Sequence, residues 1–288
     1  MEISYTTRTN DRYPETGVGR ASDSAIASSH ANRQLPLPIQ SFDISTMTAE
    51  RFESRFAWNK AVVFTDVAHP QLVEQLWNDP DAIVDTSQKL VEKQCVRTTV
   101  RFAVGAERYV VKRHVERSWR HFAKQLVSRS RAEKCWSDTW YLINSGYPTP
   151  RPVAYRENRL GSLRGNSYYV YEYIHGQTFK ELATGLKNQR LLRQLVNQLT
   201  EIWMQHHLLG INLSDGHPAN FIVDATGKMW VIDLDKLVYL PKSVDNLEAL
   251  RATFESTMQG VIGDAGILQY GRNAFEAKFS QLNLTAAA

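Results

Sequence analysis

From Leu191 to Asp235 the spacing of apolar residues changes once, and that change limits the folds open to this chain. LLRQLVNQLTEIWMQHHLLG repeats its apolar residues at helical spacing and ends on Gly210, a residue suited to a helix C-terminus. Directly behind it, NFIVD and MWVIDLD are short apolar runs joined by Ala225-Thr226-Gly227, which predicts a small hairpin. Upstream the order is reversed. CVRTTVRFAV alternates apolar and polar residues, Gly105-Ala106-Glu107 supplies a turn, and RYVVKRH resumes as a strand with Lys112 near its end. HPQLVEQLWND predicts a helix before that hairpin. SRAEKCWSDTWYLINSG predicts one after it, with Trp136, Trp140 and Ile143 on one face and Gly146 as the stop. YPTPRPVAYREN then leads into a second hairpin ending in NSYYVYEYIHGQTF, and the tail reads as mainly helical. The expected architecture is α+β in two lobes. A polar, aperiodic arm over 1–40 precedes a small β-rich lobe over 41–174 and a reduced, mainly helical lobe over 175–288.

Composition narrows the partners. The 288 residues suffice for two modest lobes, and a formal charge of +4 with a pI near 9.0 favours anionic ligands. Two cysteines, Cys95 and Cys135, form no disulfide framework and fit a reducing compartment. The N-terminus lacks the apolar core of a secretory signal, and no run approaches the roughly 20 apolar residues that span a bilayer. The expected location is cytoplasmic, at most peripheral on a membrane. KRHVERSWRHFAKQLVSRSRAEK places Trp119, Phe122, Leu126 and Val127 at helical spacing among basic residues. That pattern fits a helix on anionic lipid, a solvated face or a core-facing stripe. No recognised reader module accompanies it, so no nucleic acid is expected.

The chemistry concentrates in GINLSDGHPANFIVDATGKMWVIDLDKL, where Asp215 precedes Asn220 by five residues and Asp233 follows Asn220 by thirteen. Taken alone, an Asp-x4-Asn pair is ordinary turn chemistry. Phosphoryl transfer to a hydroxyl needs little covalent help from a protein. It needs phosphates held, their charge neutralised, and the acceptor positioned beside a carboxylate. A strand lysine, a helix, Asp-x4-Asn and an aspartate in an apolar strand follow one another in the order of those parts in protein kinases. Asp215 is then the acceptor-side carboxylate, and Asn220 and Asp233 are hard oxygen ligands for magnesium. Asp235, two residues on, is expected to face the other way along the strand.

The chain resembles the lipopolysaccharide core kinase family, the heptose and Kdo kinases of protein-kinase-like fold. The resemblance rests on RTTVRF, YVVKRH, RAEKCW with its helix and GYPTPRPVAY, GINLSD and WVIDLD, over roughly residues 90–240. It implies ATP and Mg2+, a sugar acceptor in the inner core of lipopolysaccharide, and work at the cytoplasmic face of the inner membrane. It also assigns Lys112, Glu133, Glu172 and Tyr173 to nucleotide binding.

Several positions depart from the family pattern. Leu213-Ser214-Asp215 stands where His-Arg-Asp is usual, and Asp235 stands where glycine is usual. VEKQCVRTTV holds no glycine for a phosphate loop, leaving Arg97, Thr98 or Thr99 to compensate with side chains. The glutamate that pairs the strand lysine falls at Cys135. Glu133, roughly 200° away round a helix, is taken as the partner of Lys112, with Asp138 or no acid as the alternatives. The resemblance thus supports an ATP-dependent sugar kinase. A nucleotide-binding pseudokinase with little transfer is the runner-up, and a small-molecule kinase outside lipopolysaccharide comes third.

Overall fold

The computed structural model describes residues 52–93, 97–115, 129–160, 163–185, 188–214, 216–240 and 245–286. The expected arm over 1–40, the glycine-free loop at 94–96, most of the basic stretch (116–128) and Asp215 itself lie outside the described residues.

The first half is built on a seven-stranded sheet. Strands β1 (Phe52–Ala57) and β2 (Lys60–Thr65) form a tight hairpin with Trp58 and Asn59 at its turn. Helices α1 (Pro70–Asn78) and α2 (Pro80–Thr86) follow, each opened by a proline whose missing N–H costs nothing at a helix start. Asp79 caps α2 by accepting from Ala82 N at 3.1 Å. Strands β3 (Gln88–Lys93), β4 (Arg97–Val104) and β5 (Glu107–His114) come next, the last two joined through Gly105 at φ 58°. Helix α3 (Arg131–Asn144) starts at Ser130, whose hydroxyl accepts from Glu133 N at 3.1 Å, and gives way to Gly146 at φ 76°. Strands β6 (Pro152–Leu160) and β7 (Leu163–Glu172) complete the sheet, ordered β1-β2-β6-β7-β5-β4-β3 with antiparallel neighbours throughout.

Helices cover both faces of this sheet, which explains its apolar runs. Along β5 and β7, Val111, Tyr168 and Val170 join a cluster with Leu72, Leu76 and Ile83 of α1 and α2. Their neighbours Val110, Tyr169 and Tyr171 join Cys135, Trp136 and Trp140 of α3 on the other face. Successive residues of a strand point to opposite faces, so a doubly covered strand must be apolar at nearly every position.

The second half begins with strand β8 (Gly176–Thr178) and helix α4 (Phe179–Gly185). The long helix α5 (Gln189–Leu209) is capped by Asn188 and closed by Gly210 at φ 63°. Strand β9 (Ile211–Leu213) pairs with β12 (Leu237–Tyr239), while β10 (Phe221–Asp224) lies between β8 and β11 (Met229–Val231). Helices α6 (Asp245–Gln259) and α7 (Ala265–Ala286) finish the chain. Leu199 and Trp203 of α5 pack with Phe221, Phe254 and Phe275 in one core, and Trp203 Nε1 donates to Thr253 Oγ1 at 3.1 Å. The two halves are tied where Val231 N, at the end of β11, donates to the Pro148 carbonyl at 2.7 Å, in the loop between α3 and β6.

Candidate active site between the sheet and the small hairpin

The site forms where β11 ends. Asp233 has φ 62° and ψ 56°, the only left-handed backbone among the described residues that are not glycine. Aspartate tolerates this region better than most side chains. The strand stops at Val231, and Leu234–Lys236 wind into a 3-10 turn. The two-residue alternation therefore breaks at this point. Asp235 does not face away, as strand periodicity predicts; both carboxylates point into one cluster.

Two cations from the sheet meet them. Lys112 Nζ on β5 lies 2.9 Å from Asp233 Oδ1 and 3.3 Å from Asp235 Oδ1. Arg97 Nη1 on β4 lies 3.1 Å from Asp233 Oδ1 and 2.8 Å from Asp235 Oδ2. Burial works against the Lys112 ammonium, but the Tyr171 phenol and the Asp235 and Asp233 carboxylates outweigh it and hold its pKa well above the usual lysine value. Burial likewise opposes the Asp235 carboxylate, and Lys112, His114 and Arg97 more than reverse that, leaving it ionised. The space they enclose, bordered by Lys112, Cys135, Thr149, Tyr171, Leu234 and Asp235, is only about 10 Å³.

Helix α3 presents Cys135 to this cluster. Its thiol donates to Asp235 Oδ1 at 3.3 Å, and burial, then the Asp235 charge, push its pKa well up. Glu133 is not brought to Lys112, contrary to the expected pair; its carboxylate lies 3.9 Å from Arg129 Nε. Asp138 accepts from Tyr239 at 2.9 Å and from Lys134. The reason is rotational. Ala132, Cys135, Trp136, Thr139 and Trp140 form the buried stripe of α3, which turns position 135 toward the sheet and position 133 away. Beside Cys135, His114 is buried with neither ring nitrogen hydrogen-bonded, and burial lowers its pKa to about 4.

Three other expected residues have these local settings. Asn220 ends the 3-10 turn Pro218–Asn220, and its carbonyl accepts from Ile232 N at 2.8 Å, which holds it alongside the approach to Asp233. Glu172 and Tyr173 leave the sheet at the end of β7, where their N–H groups donate to the carbonyls of Arg151 and Arg108 at 3.0 Å. The Tyr173 ring meets His175 edge-on and lies 5.4 Å from the Arg101 guanidinium carbon. Tyr171, not singled out by sequence, borders the enclosed space, with Lys112 Nζ 5.6 Å from its ring centroid.

Both neighbours of Asp215 are anchored. Ser214 Oγ donates to the Lys236 carbonyl at 3.1 Å, and the Gly216 carbonyl accepts from Thr257 Oγ1 at 2.6 Å. A hollow of about 370 Å³ opens beside them, lined by Lys180, His217, Ser256 and Thr257 among others. His217 Nδ1 accepts from Ala219 N at 3.2 Å, so in the neutral ring the other nitrogen is a donor. The Ser214, Thr253 and Thr257 hydroxyls in its wall donate to backbone carbonyls, which leaves Lys180, His217 and Ser256 as the polar side chains there that can meet a ligand.

A 3-deoxy-D-manno-octulosonic acid kinase from Vibrio parahaemolyticus serotype O3:K6 (strain RIMD 2210633) is 24% identical over 180 residues, covering 56% of this chain and 74% of that protein. Two structures of WbdD, one described as a bifunctional kinase-methyltransferase, are 17% and 16% identical, with TM-scores of 0.42 and 0.44. They cover 57% and 67% of this chain, which spans 34% and 45% of those longer chains. The profile of the lipopolysaccharide kinase (Kdo/WaaP) family matches residues 75–261, nearly the whole stretch from α1 to the end of α6. The chain therefore belongs to the lipopolysaccharide kinase (Kdo/WaaP) family.

Proposed function

We propose that this kinase of lipopolysaccharide core sugars uses ATP and Mg2+, and that its acceptor is a heptose or Kdo hydroxyl of the inner core. The observation that carries the reading is the convergence of Lys112 and Arg97, from one half, on Asp233, from the other, at 2.9 and 3.1 Å. Two buried-edge cations beside a carboxylate and an asparagine-bearing turn can hold a polyphosphate together with its metal. The donor set suits magnesium, because Asp233 and Asn220 offer oxygen, and Mg2+ prefers such hard ligands while keeping several waters. When bound there, the metal would neutralise phosphate charge.

The chain's own residues do the rest. Lys112 and Arg97 hold the phosphates, and Glu172 and Tyr173 stand where the sheet hands over to the second half, on the nucleotide side. Asp215 accepts the proton of the acceptor hydroxyl as that oxygen bonds to the γ-phosphorus; the bond from that phosphorus to the β–γ bridging oxygen breaks, and ADP leaves. The hollow beside Ser214 and Gly216, with Lys180, His217 and Ser256 in its wall, supports a sugar acceptor in this part of the chain. The name of the Vibrio relative favours Kdo as that sugar. Work at the cytoplasmic face of the inner membrane, with peripheral contact to anionic lipid, fits a lipid-anchored acceptor and a net charge of +4. Among the described residues no helix is long and apolar enough to cross a membrane.

The test is transfer of labelled γ-phosphate from ATP to purified core lipopolysaccharides that end in Kdo or in heptose, with free sugars and a generic protein alongside. Label in the Kdo-terminated acceptor supports the reading. Label in free sugars or protein alone moves the enzyme outside lipopolysaccharide, and nucleotide binding without transfer to anything makes it a pseudokinase.

A further inference from the structure

We infer that Asp235 is the positioning residue for Lys112, in the part that an acid on helix α3 would otherwise play. The argument starts from elimination. On α3 the position facing Lys112 is Cys135, which carries no charge to offer an ammonium. Glu133 is turned to Arg129, and Asp138 is held by Tyr239 and Lys134. Lys112, only 3% exposed, cannot stay charged without a carboxylate, and among the described residues the two within reach are Asp233 and Asp235.

Those two are not equivalent. Asp233 lies two residues past the end of β11, beside the Asn220 turn, where the phosphotransfer reading commits its carboxylate to the metal. Asp235 is the more enclosed, with 14% of its side chain exposed against 21% for Asp233. Both of its oxygens are engaged by this chain alone: Oδ1 with Lys112 and the Cys135 thiol, Oδ2 with Arg97. Cys135 and Asp235 are two of the positions at which this sequence departs from the kinase pattern, and they touch at 3.3 Å. A glutamate at 135 would crowd a second carboxylate against Asp235. A thiol is small and donates to it. The anchoring charge has moved from the helix to the turn after β11, and Cys135 holds it in place.

The inference uses the phosphotransfer reading only in assigning Asp233 to the metal. Its test therefore measures Mg-ATP affinity and transfer separately, on the full chain carrying Asp235→Asn, Lys112→Met or both. Asp235→Asn alone should weaken Mg-ATP handling roughly tenfold or more, and in the Lys112→Met background it should cost less than about twofold further. Equal losses in both backgrounds would mean that Asp235 acts on the fold and not through Lys112, overturning the inference; so would an Asp235→Asn protein with wild-type affinity and rate. A second comparison sets Asp235→Gly against Asp235→Gly with Cys135→Glu, which returns the acid to the helix. Recovery by the double variant supports the relocation, and two folded variants equally impaired count against it. A protein that binds Mg-ATP but transfers nothing refutes the reading of the reaction while the affinity cycle still decides the role of Asp235.

Discussion

Acid should destabilise this protein through its two buried histidines, His114 in the site and His206 in the second half, and His206 gives the cleaner test because it lies away from the charged cluster. His206 on α5 is fully buried; its ring stacks on Tyr147, with Nε2 2.6 Å from the Tyr147 hydroxyl, and it lies 5.1 Å from the Trp203 ring. Burial lowers its pKa from 6.5 to about 3, so the folded chain keeps it neutral where the unfolded chain protonates it. With the folded value depressed, its contribution is fully present above pH 6.5 and is lost as pH falls toward 3. Stability rises with pH wherever the unfolded state binds more protons. At about 1.36 kcal/mol per pH unit, bringing the protein from pH 7 to pH 4.5 should remove about 2.5 kcal/mol through this group alone. Urea unfolding at several pH values would measure the slope for the wild type and for His206→Gln, whose side-chain amide can still reach Tyr147. The variant should start lower at pH 7, by about 1–2 kcal/mol for the altered packing, yet fall less steeply below pH 6.5. Parallel slopes for the two proteins, or an imidazole resonance of His206 titrating near 6, would refute the reasoning.

On the proposed reaction, in which Asp215 serves the acceptor hydroxyl and not the phosphates, Asp215→Asn should abolish transfer while leaving Mg-ATP affinity within about twofold; isothermal titration beside the rate assay checks this. Asp233→Asn, which keeps a side chain able to hold the left-handed backbone, should remove most of the magnesium dependence of nucleotide binding, seen by titrating ATP with and without the metal. Gly176→Ala should lower stability by about 2 kcal/mol or more, because a Cβ there would sit 2.2 Å from the Val223 carbonyl in the β8–β10 ladder. Gly271→Ala meets chiefly the flexible end of Met258, with Val196 Cγ1 at 3.1 Å behind it, so its loss of stability in urea unfolding should be smaller than that of Gly176→Ala.

The parts of the fold that sequence reveals are those whose signals are local. Helix α5 carries its apolar stripe and its glycine stop, the hairpins β4–β5 and β10–β11 carry their turns, and each forms where its pattern predicts, save that β11 stops at Val231, short of the expected MWVIDLD. Strands β1 and β3 have weaker signals. FESRFA is mostly exposed at one edge of the sheet, and Leu90 and Val91 of QKLVEK are exposed at the other, so neither shows the alternation of a half-buried strand. The site divides in the same way. Lys112 and Asp233 follow from order and spacing. The facing of Asp235 depends on a backbone reversal at Asp233 that tertiary packing imposes. For Cys135 a usable signal did exist: the Trp136–Trp140 stripe already places residue 135 on the buried face, and weighing that stripe above the search for an acid would have rejected Glu133.

The closed quartet of Arg97, Lys112, Asp233 and Asp235 has a consequence for how a ligand enters. Two positive and two negative groups cancel, and folding has already stripped much of the water from all four. A metal–polyphosphate arriving there would not bury new, uncompensated charge; it would swap partners, with phosphate replacing the Asp233 carboxylate at the two cations, Asp235 staying on Lys112, and metal replacing cation at Asp233. The site thus behaves as a small ion exchanger with its counter-ions built in. Such an exchange is nearly neutral in desolvation, so the affinity it yields depends on how well the incoming pair fits, and the closed form taxes every ligand by the fraction of molecules that have opened. Added salt would loosen the quartet and weaken phosphate binding together, and the two effects oppose one another in the net affinity for nucleotide.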